Sequence, residues 1–103
     1  MITFNLKKEW FDKIKSGEKT HEYRLATDYW RKRIEKWVFT AKMRRLCPYI
    51  ELRCGYPKST DKDKILKAVV IEQPKIVSGK NTDLAIDKDV YDIEFKLIQE
   101  NEV

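Results

Sequence analysis

Residues 17–24 read Gly17-Glu18-Lys19-Thr20-His21-Glu22-Tyr23-Arg24, a G-x-K-x-x-E-x-R spacing that packs two cations, two carboxylates, an imidazole and a phenol into one octapeptide. If the segment is extended, Thr20, Glu22 and Arg24 share one face and Lys19, His21 and Tyr23 the other. A turn after Gly17 that swings Lys19 round would bring Lys19, Glu22 and Arg24 together as a charged, hydrogen-bonding cluster. Glu22 could then hold the cations or accept from an amino group of a base, and Arg24 could reach a phosphate or a base edge. Each residue also has a plainer role open to it. Glu22 and Arg24 could form an intramolecular ion pair, Lys19 could be a solvated turn lysine, and His21 a surface histidine, since the sequence supplies it no evident nucleophile.

The remaining candidates lie downstream. All six arginines, Arg24, Arg31, Arg33, Arg44, Arg45 and Arg53, fall between positions 24 and 53. Residues 1–58 hold 15 Lys/Arg against 7 Asp/Glu, and residues 59–103 hold 7 against 10, so the net +5 hides a basic first half. Such a cluster is a candidate polyanion-binding patch if the fold gathers it on one surface, and a solvated charged surface if it does not. Tyr23, Tyr29 and Tyr56 are candidates for stacking on unpaired bases. Trp30 and Trp37 sit on a helical apolar stripe and read as core.

These residues need elements to hold them. Ile2, Phe4 and Leu6 alternate with polar residues as a half-buried strand does. Trp10, Phe11 and Ile14 have the spacing of an amphipathic helix, and Gly17 sits where such a helix ends. Thr20–Leu25 reads as a short strand. Thr27 or Asp28 could cap a second helix carrying the Trp30, Ile34, Trp37 stripe. Residues 40–48 lack periodicity and read as a basic loop. Tyr49–Tyr56 reads as a strand, with Ile50, Leu52 and Cys54 on one face. Ile65–Val77 reads as a buried strand interrupted or bent near Pro74, and Val90–Ile98 as the clearest strand of all.

Composition bounds the whole. The 103 residues fit one domain, with 42% apolar residues and twelve aromatics to build a core. At 38% the charged fraction is well above the usual ~25%. No apolar run approaches the ~20 residues that cross a bilayer, and no secretion signal opens the sequence, so a soluble, cytoplasmic protein without membrane contact is expected. Cys47 and Cys54 are then reduced thiols. With one histidine and no Cys-x-x-Cys pair, neither a metal site nor a cofactor is expected.

The octapeptide, the strand and helix before it, the Trp/Arg-rich helix after it, the Arg53-Cys54-Gly55-Tyr56 element and the closing Tyr91-Asp92-Ile93-Glu94-Phe95 resemble the ASCH domain family of the PUA-like superfamily over nearly the whole chain. The resemblance implies a single α+β domain, 1–103: a PUA-like small mixed β-barrel of about five strands, with two helices near the N-terminus packed at its openings and a cleft lined by the motif. It implies RNA or a modified nucleotide as ligand in that cleft; joined to the arginine cluster and the stacking candidates, the expected binding set is Lys19, Glu22, Tyr23, Arg24, Arg31, Arg33, Arg44, Arg45, Arg53 and Tyr56, and a monomer or weak dimer is expected. An alternative is an amidohydrolase acting on a nucleoside such as 4-acetylcytidine, with Lys19 and Glu22 catalytic. Lys19 matches the lysine of that pattern, but Glu22 stands where its nucleophilic threonine would be, and Thr20 is not the matching position. A metal-assisted ribonuclease of ASCH type ranks below both, because Glu22, Asp28, Glu35 and Glu51 are scattered.

Overall fold

The computed structural model describes residues 2–44 and 49–98. Strand β1 (Ile2–Leu6) buries Ile2, Phe4 and Leu6 and exposes the residues between them, as its alternation dictates. Helix α1 (Lys8–Lys15) turns Phe11 and Ile14 inward. It ends at Ser16, and Gly17 follows at φ +86°, the left-handed conformation that glycine adopts without a Cβ penalty. The chain then doubles back, with the Lys19 amide donating to the Lys13 carbonyl at 3.0 Å. Strand β2 (His21–Leu25) follows directly.

Thr27 caps α2 (Asp28–Met43), its side chain accepting from the Trp30 amide. The expected basic loop over residues 40–48 is corrected here, because α2 continues through Met43 and Arg44 is its C-cap. The apolar stripe runs on by one more turn from Trp37 to Ala41, a residue too small to announce itself, while Phe39 and Met43 lie exposed on another face and obscure the period. Arg45, Leu46, Cys47 and Pro48 lie outside the described residues.

Strand β3 (Tyr49–Cys54) places Ile50 and Leu52 in the core and ends at Gly55. The segment Ile65–Val77, expected to be interrupted or bent near Pro74, is interrupted there into two strands, β4 (Ile65–Val70) and β5 (Lys75–Ser78). Both pair with the long β6 (Asp89–Leu97): Val70 opposite Phe95, and Lys75 opposite Asp92. The turn holding Pro74, which has no N–H to give a ladder, separates them.

The sheet is mixed and curled, ordered β1-β3-β4-β6-β2, with β5 added beside β6. β1 runs parallel to β3, and the other pairs are antiparallel. The result is a half-barrel with two helices, the α+β PUA-like arrangement. Phe4, Ile14, Ile34, Ile50, Leu52 and Ile93 fill its centre, each contributing about 1.5–3 kcal/mol by leaving water. The two end strands, β1 and β2, do not pair with each other. That seam, flanked by α1 and α2, is where the motif lies. Among the described residues no helix is long and apolar enough to cross a membrane.

A candidate nucleotide-binding cavity at the seam

A cavity of about 600 Å³ opens along the seam, taking Asn5 and Leu6 from β1, and Glu22, Tyr23, Arg24 and Leu25 from β2. Trp10 of α1, Tyr29 and Trp30 of α2, and Lys19 complete the walls, with Asp83 and Leu84 of the β5–β6 connection at the rim. Its size suits a nucleobase with part of a sugar, inside the range of small-molecule pockets.

Among the described residues Glu22 is the one charged residue in the buried core, 5% exposed, because β2 alternates and its inward position here falls on a glutamate opposite Ile93. Its Oε1 accepts from the Tyr23 amide at 3.0 Å and lies 3.8 Å from Arg24 Nε. Oε2 and Arg24 Nε are both buried without a hydrogen-bond partner among the described residues. Burial pushes the Glu22 carboxyl above the ordinary carboxylate range, and the charges of Arg24 and Lys19 and the Tyr23 amide oppose that shift.

Arg24 crosses the seam, donating from Nη2 to the Asn5 carbonyl at 3.1 Å. Its guanidinium lies 5.0 Å from the Phe4 ring centroid and 5.1 Å from that of Trp30. Lys19 reaches the cavity through the turn after Gly17. Its ammonium pairs with Asp83 and sits 4.9 Å from the Tyr23 ring and 5.5 Å from the Trp10 ring. Burial also raises the Tyr23 phenol, with Asp92, Asp83 and Glu22 adding to it. The structure therefore gathers Lys19, Glu22, Tyr23 and Arg24 into one cavity.

The other expected binding residues lie elsewhere. Arg31 pairs with Asp28 on the outside of α2, and Arg33 stacks 3.7 Å over the Tyr29 ring at the cavity mouth. Arg44 is exposed at the end of α2. Arg53 pairs with Glu51 on β3 and does not line the cavity, and Tyr56 is 91% exposed and apart from it. Arg45 falls outside the described residues. The arginines are thus spread over several elements. His21 lies on the outer face of β2, its Nδ1 2.6 Å from Asp92 Oδ1 and its ring stacked on Tyr23.

Three residues at the cavity escaped the sequence reading. Trp10 and Trp30, read as core by helical period, are half-buried and form walls. Asp83 reaches Lys19 across 64 positions, and no local signal could have paired them. Its connection is fixed by tight packing at Gly79, where a Cβ would lie 2.7 Å from the Lys88 carbonyl oxygen and 2.8 Å from that of Ile86. Thr20 lines a second, smaller cleft of about 230 Å³ shared with Lys13 and His21, rather than the cavity itself.

With this geometry in place, the sequence model of the ASCH domain matches residues 4–101. Comparison with curated proteins and with solved structures finds no match.

Proposed function

The chain belongs to the ASCH domain family, a PUA-like family associated with RNA binding, and on that premise we propose that it binds RNA, or a modified nucleotide, by taking one unpaired base into the seam cavity. One observation carries the reading: a base-sized cavity whose walls are aromatic, from Trp10, Tyr23 and Trp30, and whose polar groups are the Lys19, Glu22 and Arg24 of the motif. Aromatic walls hold any base by its π face, and buried polar groups at the floor address its edge. Cations near the mouth, Arg33 among them, serve the phosphates on either side.

Fluorescence anisotropy with labelled single-stranded RNA at two salt concentrations tests this. Binding should weaken with salt along a log–log slope of about −0.7 per phosphate neutralised. Absence of binding at low salt would refute it.

A second reading, hydrolysis of an amide on a modified nucleoside, draws on the raised carboxyl of Glu22 beside Lys19. A carboxylate shifted toward neutrality is suited to take a proton from water. Thr20, the hydroxyl next to Lys19 in sequence, does not line the cavity with Glu22, and the Thr27 hydroxyl that does is engaged as the α2 cap, so water would be the nucleophile. Release of cytidine from 4-acetylcytidine, followed by ultraviolet absorbance and abolished in Lys19→Ala, separates this reading from simple binding.

A further inference from the structure

We propose that Lys19 is the phosphate site of the cavity and that Asp83 holds that place in the free protein as a built-in competitor, an inference that rests on the base-binding role just described. Four residues line both hollows, the seam cavity and the smaller cleft beside it: Trp10, Lys19, Tyr23 and Asp83. They form the wall between the two, and the Lys19–Asp83 ion pair is its charged part. The Lys19 side chain is 9% exposed, so its ammonium has little water and needs an anion close by. It is also held in place without Asp83. Its amide is bonded to the Lys13 carbonyl, and its ammonium lies 4.9 Å from the Tyr23 ring centroid and 5.5 Å from that of Trp10.

Asp83 is held far less firmly. Its side chain is 41% exposed, and it stands on a turn, residues 82–85, that ends at Ala85 with φ +46°, a left-handed conformation unfavourable to any residue with a Cβ. Among the described residues, the other hydrogen bonds of that turn stay inside the β5–β6 connection, and the bond to Lys19 is the one that ties it to the rest of the chain. The carboxylate can therefore swing out into water and leave an anion's place on a fixed ammonium, open from the side that solvent already reaches. Charge favours the exchange. With the pair formed, Lys13 and Lys19 of the cleft are balanced by Glu18 and Asp83; with Asp83 turned out, one positive charge is left over, which matches one phosphodiester. A base stacked on Trp10 or Tyr23 in the cavity puts its phosphate at this wall and the next sugar in the cleft, beside Lys13 and Thr20.

The test is anisotropy at low salt with a labelled single-stranded RNA hexamer of mixed sequence, on the unaltered protein, Asp83→Ala, Lys19→Gln and the double variant. Asp83→Ala should bind at least about threefold tighter, a gain that release of even an exposed ion pair can supply. Lys19→Gln should bind more weakly, and removing Asp83 from it should gain nothing, because the competitor acts only through Lys19. Competition by the four unlabelled ribonucleosides and by their monophosphates identifies the group that displaces Asp83: the monophosphates should gain from Asp83→Ala and the nucleosides should not. That comparison does not depend on the folding of a Lys19 variant. No gain in Asp83→Ala, an equal gain with and without Lys19, or an equal gain for nucleosides overturns the proposal and leaves RNA binding standing. Failure of all four proteins to bind the hexamer overturns both.

Discussion

Arg24 joins the two unpaired edges of the half-barrel: from β2 its guanidinium donates to the main-chain carbonyl of Asn5 on β1 at 3.1 Å. The same side chain stands beside Glu22, 3.8 Å from its Oε1, so one residue both ties the seam and sets the charge of the cavity floor. Arg24→Lys keeps the charge but loses the planar fork that serves both roles. It should lower stability by about 1–2 kcal/mol, read by urea denaturation, and weaken RNA binding as well.

Glu22→Gln should stabilise the free protein at neutral pH. Burial raises the folded-state value above the unfolded one, so ionising Glu22 costs folding energy. The stability it supports is fully present below the unfolded value and is lost as pH rises through the folded one. The glutamine variant carries no such charge. Its advantage in thermal unfolding at pH 7 should therefore shrink steadily as pH falls into the ordinary carboxylate range, whereas an advantage that stays constant with pH would mean burial of the charge is not its source.

Asp83→Asn should leave stability within about 1 kcal/mol of the parent: the Lys19 side chain is only 9% exposed, but the asparagine amide oxygen can still accept from its ammonium, and solvent reaches the pair from the Asp83 side. RNA affinity should nevertheless change, since Lys19, held between the Trp10 and Tyr23 rings, loses its charged partner. Parallel urea and anisotropy titrations would show affinity moving while stability holds.

Gly79→Ala should do the reverse. A Cβ there meets two carbonyl oxygens and the Ile86 side chain at under 3 Å, so the β5–β6 connection must shift. A loss of about 1–3 kcal/mol is expected by thermal unfolding. A neutral result would show that this connection gives way easily.

Tyr29→Ala probes the mouth. Tyr29 is exposed, packs edge-on to Trp30 at 5.2 Å and lies under Arg33, so its removal costs the fold little. If a base or its neighbour stacks there, affinity should fall by about 1–3 kcal/mol with the salt slope unchanged. Arg33→Ala should instead flatten the slope by about 0.7, one phosphate contact fewer.

The sequence alone determined the local elements, because hydrophobic period is a local property. The alternation of Ile2, Phe4 and Leu6, the stripe of Trp30, Ile34 and Trp37, and Gly17 at a helix end each depend on neighbours a few residues away. The G-x-K-x-x-E-x-R octapeptide likewise carried Lys19, Glu22, Tyr23 and Arg24, and all four line the cavity. Where small or exposed residues blurred the period, as at Ala41 and Met43, the end of α2 could not be read. Only the tertiary structure decided what those residues face. Pairing β1 with β3 and β2 with β6 leaves a seam, and that seam puts Asn5, Trp10, Trp30 and Asp83 around the motif across distances no local pattern encodes. It also left Arg53 and Tyr56 away from the cavity and turned a glutamate of ordinary appearance into a buried, half-satisfied group beside it. Burial and long-range contact are properties of the closed chain, which is why the charge of Glu22 acquires its meaning only after folding.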